Sequence, residues 1–187
     1  GQQLVHRTST NVSVIPTLRW ALESRADPNA QNFVGSTPLK HAAQFGCLAA
    51  LKVLLDAKAD PEIVSKNGQS PLWTAASMGN TECLDLLIQA KADKDKAMNG
   101  GATPVFIAAQ KNKQDCLDLL LRAKANLDKA KNTGVTPVYM AAENKMADCL
   151  MLLLHAKADK DKAMNDGATP LLIAVEKNSK DCLDLLL

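Results

Sequence analysis

The sequence predicts an all-α fold, a solenoid of stacked helix-turn-helix units from which β-turn loops protrude. The first observation behind this prediction is a 33-residue period of glycines, at Gly35, Gly68, Gly101, Gly134 and Gly167. A period of this length is typical of helical repeat proteins. The second observation is the composition, because 47% of the residues are hydrophobic while aromatic residues make up only 3%. Strong helix formers with few aromatic residues favour many small helices over a sheet.

Each repeat carries its own signal for the start of a helix. Three residues after each glycine comes a proline, and a hydroxyl residue precedes it, as in Thr103-Pro104. The hydroxyl can accept a hydrogen bond from an unpaired amide of the first helical turn, and proline fits the first helical position. Glycine can adopt the positive φ of the turn before the helix. The pattern predicts a short first helix, for example Pro104 to Lys111, and a longer second helix, for example Gln114 to Ala123.

The apolar residues of the two helices explain why the units must stack. First helices carry pairs of small residues such as Ala108-Ala109, which let neighbouring helices approach closely. Second helices carry leucines at helical spacing, such as Leu117 and Leu120. Since one hairpin cannot bury these faces alone, the sequence predicts that consecutive hairpins share one elongated core.

The order Gly-x-Thr-Pro-Leu, Ala-Ala, Leu-Leu-Leu and Ala-Asp resembles the ankyrin repeat. The resemblance divides the chain into an irregular segment (1–16), a degenerate half-repeat (17–34), four repeats (35–67, 68–100, 101–133 and 134–166) and an incomplete repeat (167–187). Residues Thr17 to Arg25 align with a second helix. The resemblance implies a protein-binding module that performs no catalysis.

Two departures from the ankyrin pattern affect the turns. The usual histidine after Thr-Pro-Leu is replaced in all repeats, which implies that its hydrogen bond to the turn is absent; the residues are Lys40, Trp73, Phe106, Tyr139 and Leu172. The usual glycine after the second helix is also replaced, by Lys58, Lys91, Lys124 and Lys157. A residue other than glycine in the left-handed conformation costs about 1–2 kcal/mol. Either the solenoid carries this strain or the turn differs locally.

The resemblance implies that partners bind the loop tips and the exposed, concave face of the first helices. The candidate residues on this face are Phe33, Val34, Phe45, Trp73, Met78, Gln110, Lys111, Glu143 and Asn144. The apolar members cluster toward the N-terminus, and aromatic residues and methionine are enriched at binding hot spots. In the alternative interpretation, Phe33 and Val34 pack beneath the half-repeat.

Four of the five cysteines recur with the period, at Cys83, Cys116, Cys149 and Cys182. Packed helices lie about 8–10 Å apart, whereas a disulfide needs Cα atoms within about 7 Å. We therefore expect buried thiols in a reducing intracellular compartment, cytoplasmic or organellar. No spacing matches a metal site, a phosphate loop or an activated nucleophile, so the sequence predicts no cofactor, metal or catalytic residue.

Charge and hydropathy argue against two classes of partner. The net charge is +2, from 22 basic and 20 acidic residues, which is too balanced for a typical nucleic-acid binder. No apolar run reaches the roughly 18 residues of a membrane span.

One basic residue recurs at the same position after each second helix, and together these residues form a basic row: Arg25, Lys58, Lys91, Lys124 and Lys157. It is either a strip for an acidic partner or anionic lipid, or a set of solvated residues at helix C-termini. The alternating loop charges, as in Asp93-Lys94-Asp95-Lys96, are interpreted as a solvated face.

Three functions are compatible with these features. The leading hypothesis is a scaffold module that binds one protein partner through its concave face and loop tips. The second is a structural subunit of a large multiprotein complex, membrane-associated or plastid, with its terminal repeats covered by neighbours. The third is a regulatory segment of a longer enzyme.

The last three leucines, Leu185 to Leu187, fall inside a predicted second helix. Because this leaves an apolar face uncovered, we expect that more chain or a partner covers this end.

Overall fold

The computed structural model describes residues 14–187 and contains helical hairpins throughout that range. The predicted all-α solenoid is confirmed, with no strand among the described residues. The helices are α1 (14–23), α2 (Pro38–Phe45), α3 (Leu48–Asp56), α4 (Pro71–Met78), α5 (Thr81–Gln89), α6 (Pro104–Gln110), α7 (Gln114–Arg122), α8 (Pro137–Glu143), α9 (Ala147–His155), α10 (Pro170–Glu176) and α11 (Lys180–Leu186). None of the described helices is both long and apolar enough to cross a membrane.

The first helix of every repeat begins as the sequence predicts. In the third repeat, Thr103 is extended and its hydroxyl accepts a hydrogen bond from the Phe106 amide at 3.2 Å, with Pro104 at the first helical position. The same cap recurs before α2, α4, α8 and α10. Local chemistry therefore starts each hairpin independently of its neighbours.

Consecutive hairpins stack in chain order around one continuous core. First helices pack against first helices, from α2 through α4, α6 and α8 to α10, and second helices pack against second helices in the same order. Within the first helices, Ala76, Ala109 and Ala142 are fully buried. Leu84 and Leu117 fill the same core from the second helices. The small residues set a close spacing of the first helices, and the leucines fill the space behind them.

The loops are chains of β-turns joined from one repeat to the next. At the tip before α6, the Gly101 amide donates to the Met98 carbonyl at 2.8 Å, and Gly101 has a φ of +84°. The neighbouring tips are linked because the Asn99 amide donates to the Asn67 carbonyl at 3.1 Å. The Asn99 side chain adds a second link, donating to the Lys66 carbonyl at 2.9 Å. The loops thus extend the repeat stack beyond the helices.

The residues that replace glycine after the second helices adopt the left-handed backbone conformation, so the solenoid carries the conformational strain that was one of the two predicted alternatives. Lys58, Lys91, Lys124 and Lys157 have φ values of +64°, +65°, +58° and +68°. Arg25 takes the same conformation at +70° after α1. The backbone therefore keeps the ankyrin-type turn, and these residues carry its conformational cost.

The first helix differs from the prediction at both of its ends. Residues 14–23 are helical, so residues 14–16, predicted as part of an irregular segment, belong to α1. The helix predicted over residues 17–25 ends two residues earlier, because Ser24 and Arg25 form the turn. The remaining predicted irregular segment, residues 1–13, lies outside the described residues.

Candidate interaction surface

Four of the candidate residues form an exposed apolar set at the N-terminal end of the described solenoid. Phe33 is 86% exposed, Val34 44%, Phe45 58% and Met78 49%. We call these residues the N-terminal patch. Lys111 and Asn144 are exposed, while Gln110 and Glu143 are half-buried. The structure therefore leaves eight of the nine candidates at least partly accessible.

The prediction that Trp73 lies on this surface is wrong, since its side chain is only 6% exposed. Trp73 lies between consecutive repeats, and its indole Nε1 donates to the Ala102 carbonyl of the next loop at 3.0 Å. The sequence implied that no residue replacing the usual histidine would donate a hydrogen bond to a turn. This expectation is wrong for Trp73, which donates to the loop of the next repeat. A buried indole N–H requires a partner, and the neighbouring loop provides it.

Phe45 and Met78 occupy the same position in adjacent repeats. Each is the last residue of its first helix, and each is followed by a left-handed glycine that ends the helix, Gly46 or Gly79. In the later repeats the equivalent residues are polar: Lys111, Asn144 and Lys177. The apolar character of this surface is therefore confined to the first two repeats.

Phe33 and Val34 lie at the loop tip before α2. The interpretation in which they pack beneath the half-repeat is wrong for Phe33, whose ring is almost entirely exposed. The Val34 carbonyl accepts a hydrogen bond from the Lys66 amide at 3.0 Å, which ties this tip to the next. The backbone under the exposed ring is thus held in place by the neighbouring loop.

An open apolar groove of about 350 Å³ lies between α1, α2 and α3. Its lining includes Val14 and Leu18 from α1, Ala42 and Phe45 from α2, and Ala50 from α3. The His41 ring stacks on the Phe45 ring, with centroids 6.2 Å apart and planes 8° apart. The groove therefore adjoins the N-terminal patch through the side chain of Phe45.

Charged side chains of the loops form hydrogen bonds with the loop of the neighbouring repeat. The sequence-based interpretation of these residues as a solvated face did not predict these bonds. The Asp95 side chain accepts a hydrogen bond from the Asn126 amide at 2.7 Å, and its carbonyl accepts one from Lys129 Nζ at 2.8 Å. Equivalent carboxylates of Glu62 and Asp128 accept from the amides of Asp93 and Asp159, both at 2.8 Å. We call these bonds the loop ladder. The interpretation of the charged loops as a solvated face is therefore incomplete, because these carboxylates also hold the next loop in position.

The residues of the basic row are exposed along the described part of the chain. The two ion pairs of the described residues join Lys96 to Glu62 at 2.9 Å and Arg122 to Asp118 at 2.7 Å, and neither uses the row.

The four periodic cysteines are buried thiols, as predicted. Burial, with a smaller contribution from neighbouring acidic groups, raises the pKa of Cys83 and of Cys149 to about 11. No group of three or more potential metal ligands occurs among residues 14–187. The four thiols therefore pack in the core as small side chains, and the Cys149 thiol also donates a hydrogen bond to Asn112 Oδ1 at 3.2 Å.

Thiol reactivity provides a test of this packing. In the native chain at pH 8, we expect the half-buried Cys47 to be alkylated rapidly and the other four cysteines slowly, because reaction needs an accessible thiolate. All five should react quickly in denaturant. Mass spectrometry of timed iodoacetamide labelling measures the rates, and rapid native labelling at four or more sites would contradict the packing.

The raised pKa values of Cys83 and Cys149 also predict that the stability of the fold depends on pH. The stabilisation by these two thiols is complete below an unfolded-state pKa of about 8.5 and is lost as pH rises toward about 11. Urea denaturation across this pH range measures the loss.

Stacked hairpins with protruding loops and one exposed face define a repeat solenoid, a class that presents extended binding surfaces. A family model for ankyrin repeats matches the chain in three overlapping copies, residues 5–97, 39–131 and 105–187. The chain belongs to the ankyrin repeat family. Ankyrin repeats generally mediate protein–protein interaction, and such domains are typically non-catalytic. A comparison with curated proteins found no match.

Proposed function

We propose that this chain binds a protein partner through the N-terminal patch, on the concave face that the first helices and loop tips form. The observation that carries the proposal is the exposure of Phe33, Val34, Phe45 and Met78, set against polar equivalents in later repeats. Large apolar side chains standing in water are the residue types that dominate binding energy when a partner covers them. The polar remainder of the face, including Lys111 and Asn144, then acts as the rim of the interface.

The test begins by identifying the partner and then breaks the contact. A photo-cross-linking amino acid at position 45, in the full chain in native extract, should capture one protein at fixed stoichiometry, whereas the same group at position 144 should capture less of it. With that protein purified, Phe45→Asp plus Met78→Asp should weaken binding at least about 100-fold, because hot-spot losses are each about 2 kcal/mol or more.

Two control variants separate the contributions. Phe45→Gln plus Met78→Gln removes the apolar area without adding charge and should also weaken binding. Lys52→Asp plus Lys180→Asp adds two carboxylates at exposed positions of the second helices α3 and α11, outside the proposed surface, and should leave affinity within about threefold. Circular dichroism checks that helicity is unchanged. Wild-type affinity in the first aspartate variant would exclude the N-terminal patch as the contact.

A further inference from the structure

The basic row occupies one equivalent left-handed position in five consecutive units of the solenoid. Each row residue follows a second helix, and the φ values lie between +58° and +70°. The loop ladder links these positions, because the amide two residues after a row residue donates to the preceding loop, as the Asp93 amide does to Glu62 at 2.8 Å and the Asn126 amide to Asp95 at 2.7 Å. Packed helices lie about 8–10 Å apart, so the five charges form a line of about 32–40 Å.

The backbone conformation of the row does not explain why its residues are basic. Residues with a Cβ are strained at positive φ, whereas glycine adopts it freely and asparagine more readily than most residues. The chain follows this preference at the left-handed position after its first helices, where four of the five residues are Gly46, Gly79, Asn112 and Asn178. After the second helices all five residues are lysine or arginine. The two positions share one backbone constraint, so the difference between them lies in what the side chains do.

The helix dipole does not require a basic residue at the left-handed position either. A cation is favourable anywhere in the last turn of a helix. The first helices α6 and α10 place one a residue earlier, at Lys111 and Lys177, where φ is −96° and −78° and the backbone is unstrained. Strained backbone positions are concentrated at binding and switch sites, so five strained cations in one line indicate a binding role.

The row side chains make no structural contact of the kind that other lysines of the loops make. Lys96, Lys129 and Lys162 each donate from Nζ to a backbone carbonyl of the preceding loop, at 2.8 to 2.9 Å. Among residues 14–187, no hydrogen bond or ion pair involves a side chain of the row. The charged ends of the row are therefore available to a ligand.

Acidic residues stand beside the row, but they serve the loops. Two residues after a row residue, a carboxylate accepts a hydrogen bond from the amide two residues further on, at 2.8 to 3.0 Å, in Asp60, Asp93 and Asp159. Asn126 accepts the equivalent bond at 3.0 Å, so this role needs an acceptor and not a charge. The carboxylates confine the positive potential to a narrow line. A flat anionic membrane would meet both rows, whereas one narrow chain can contact the basic residues alone.

We propose that the basic row binds an extended acidic segment of a protein, with a carboxylate at every third residue. A polyproline II helix has three residues per turn and rises about 3.1 Å per residue, so every third side chain lies on one face at intervals of about 9 Å. This interval matches the spacing of the packed helices that carry the row. A β-strand turns every third side chain to alternate faces and would not present such a line. The row follows second helices, whereas the N-terminal patch belongs to first helices and a loop tip, so the two surfaces are tested separately.

The probe is a fluorescein-labelled peptide of five Glu-Pro-Pro triplets, whose carboxylates span about 37 Å in the polyproline II conformation. Titration with the full chain should raise its fluorescence anisotropy in a saturable way. Raising the salt concentration from about 20 to about 300 mM should weaken binding at least about tenfold, because exposed charges are screened. A peptide of five Gln-Pro-Pro triplets should not bind. A peptide of five Glu-Pro-Pro-Pro units keeps the charges but turns successive carboxylates to different faces, and it should bind at least about fivefold more weakly.

Variants of the chain test whether the row makes this contact. Lys58→Gln, Lys91→Gln, Lys124→Gln and Lys157→Gln, combined in one chain, keep each Cβ and should weaken binding of the triplet peptide at least about tenfold, since the small contributions of four exposed ion pairs multiply. Arginine at the same four positions keeps the charge and should leave affinity within about threefold. The matched control removes four exposed lysines outside the row and should also leave affinity within about threefold; these are Lys66, Lys111, Lys145 and Lys177. Circular dichroism checks that every variant keeps its helicity.

Three outcomes would overturn the proposal. Equal losses in the two glutamine variants would show that the peptide responds only to net charge. Equal affinity for the two glutamate peptides would exclude a ligand matched to the spacing of the row. Binding of the chain to vesicles with about 30% phosphatidylserine, lost in the row variant while the triplet peptide does not bind, would assign the row to a lipid surface instead. Phe45→Asp plus Met78→Asp should leave peptide binding unchanged, so failure of the row and failure of the N-terminal patch are distinguished.

Discussion

Gly101→Ala is expected to lower the free energy of unfolding by about 2–5 kcal/mol. A left-handed alanine costs about 1–2 kcal/mol, and forcing atoms into a packed site costs about 1–3 kcal/mol more. A Cβ built on Gly101 would lie 2.7 Å from Asn132 Oδ1, 2.9 Å from the Asn132 backbone nitrogen and 3.0 Å from Lys131 Cα. Two of these three atoms belong to the backbone of the next loop, which cannot rotate away.

Two other glycines separate the causes of this loss. Gly167 has a φ of +89°, but a Cβ added there would meet no atom within 4 Å, so Gly167→Ala should cost only the conformational term of about 1–2 kcal/mol. A Cβ added at Gly100 would also meet no atom within 4 Å, and the φ of Gly100 lies outside the left-handed range, so Gly100→Ala should change stability by less than about 0.5 kcal/mol. Urea denaturation followed by circular dichroism gives the three values. Equal losses at Gly101 and Gly167 would mean that contact between loops contributes nothing.

Replacing Lys58, Lys91, Lys124 and Lys157 together by glycine is expected to raise the free energy of unfolding by about 2–4 kcal/mol. Each glycine removes about 1–2 kcal/mol of left-handed strain and adds about 0.5–1 kcal/mol of backbone entropy to the unfolded chain. The net gain is about 0.5–1 kcal/mol a site. The four sites lie in different repeats, so their effects should nearly add.

The matched control replaces the same four lysines by alanine. Alanine removes the charges but keeps the Cβ, so it should give no comparable gain, and loss of the favourable charge at the helix C-terminus should reduce stability slightly. Thermal and urea denaturation of the two variants measure the difference. Equal stabilisation by alanine would identify repulsion along the basic row, rather than backbone strain, as the cause.

Features set by neighbouring residues in the chain are predictable from the sequence. The cap of Thr103 and the start of α6 at Pro104 depend on three or four consecutive residues, and the 33-residue period then repeats them. The burial of Cys116 follows from its register with Leu117 and Leu120 on one helix. The exposure of Phe45 and Met78 follows from the position of each at the end of a first helix.

Features that depend on contact between repeats are harder to predict. Trp73 is buried because the loop carrying Ala102 covers it, and that geometry is not encoded in the residues around Trp73. The bond between Asp95 and the Asn126 amide likewise joins residues 31 positions apart in different loops. Its only sequence signal is the recurrence of an acceptor side chain at Asn29, Glu62, Asp95, Asp128 and Asp161, one period apart. That regularity by itself is equally compatible with a solvated face, because both interpretations require polar side chains in the loops.

The loop ladder has a consequence for how this protein can change length during evolution. Its bonds join residues 31 or 34 positions apart, so each unit carries an acceptor for the unit after it and donors for the unit before it. Insertion of whole units leaves every such joint chemically complete. Two segments of the sequence recur in the way that such an insertion would produce: KADKDKAMN occurs from Lys91 and again from Lys157, and DCLDLLL from Asp115 and again from Asp181. Both copies are displaced by two whole units, so gene duplication could lengthen the solenoid without inventing a new joint.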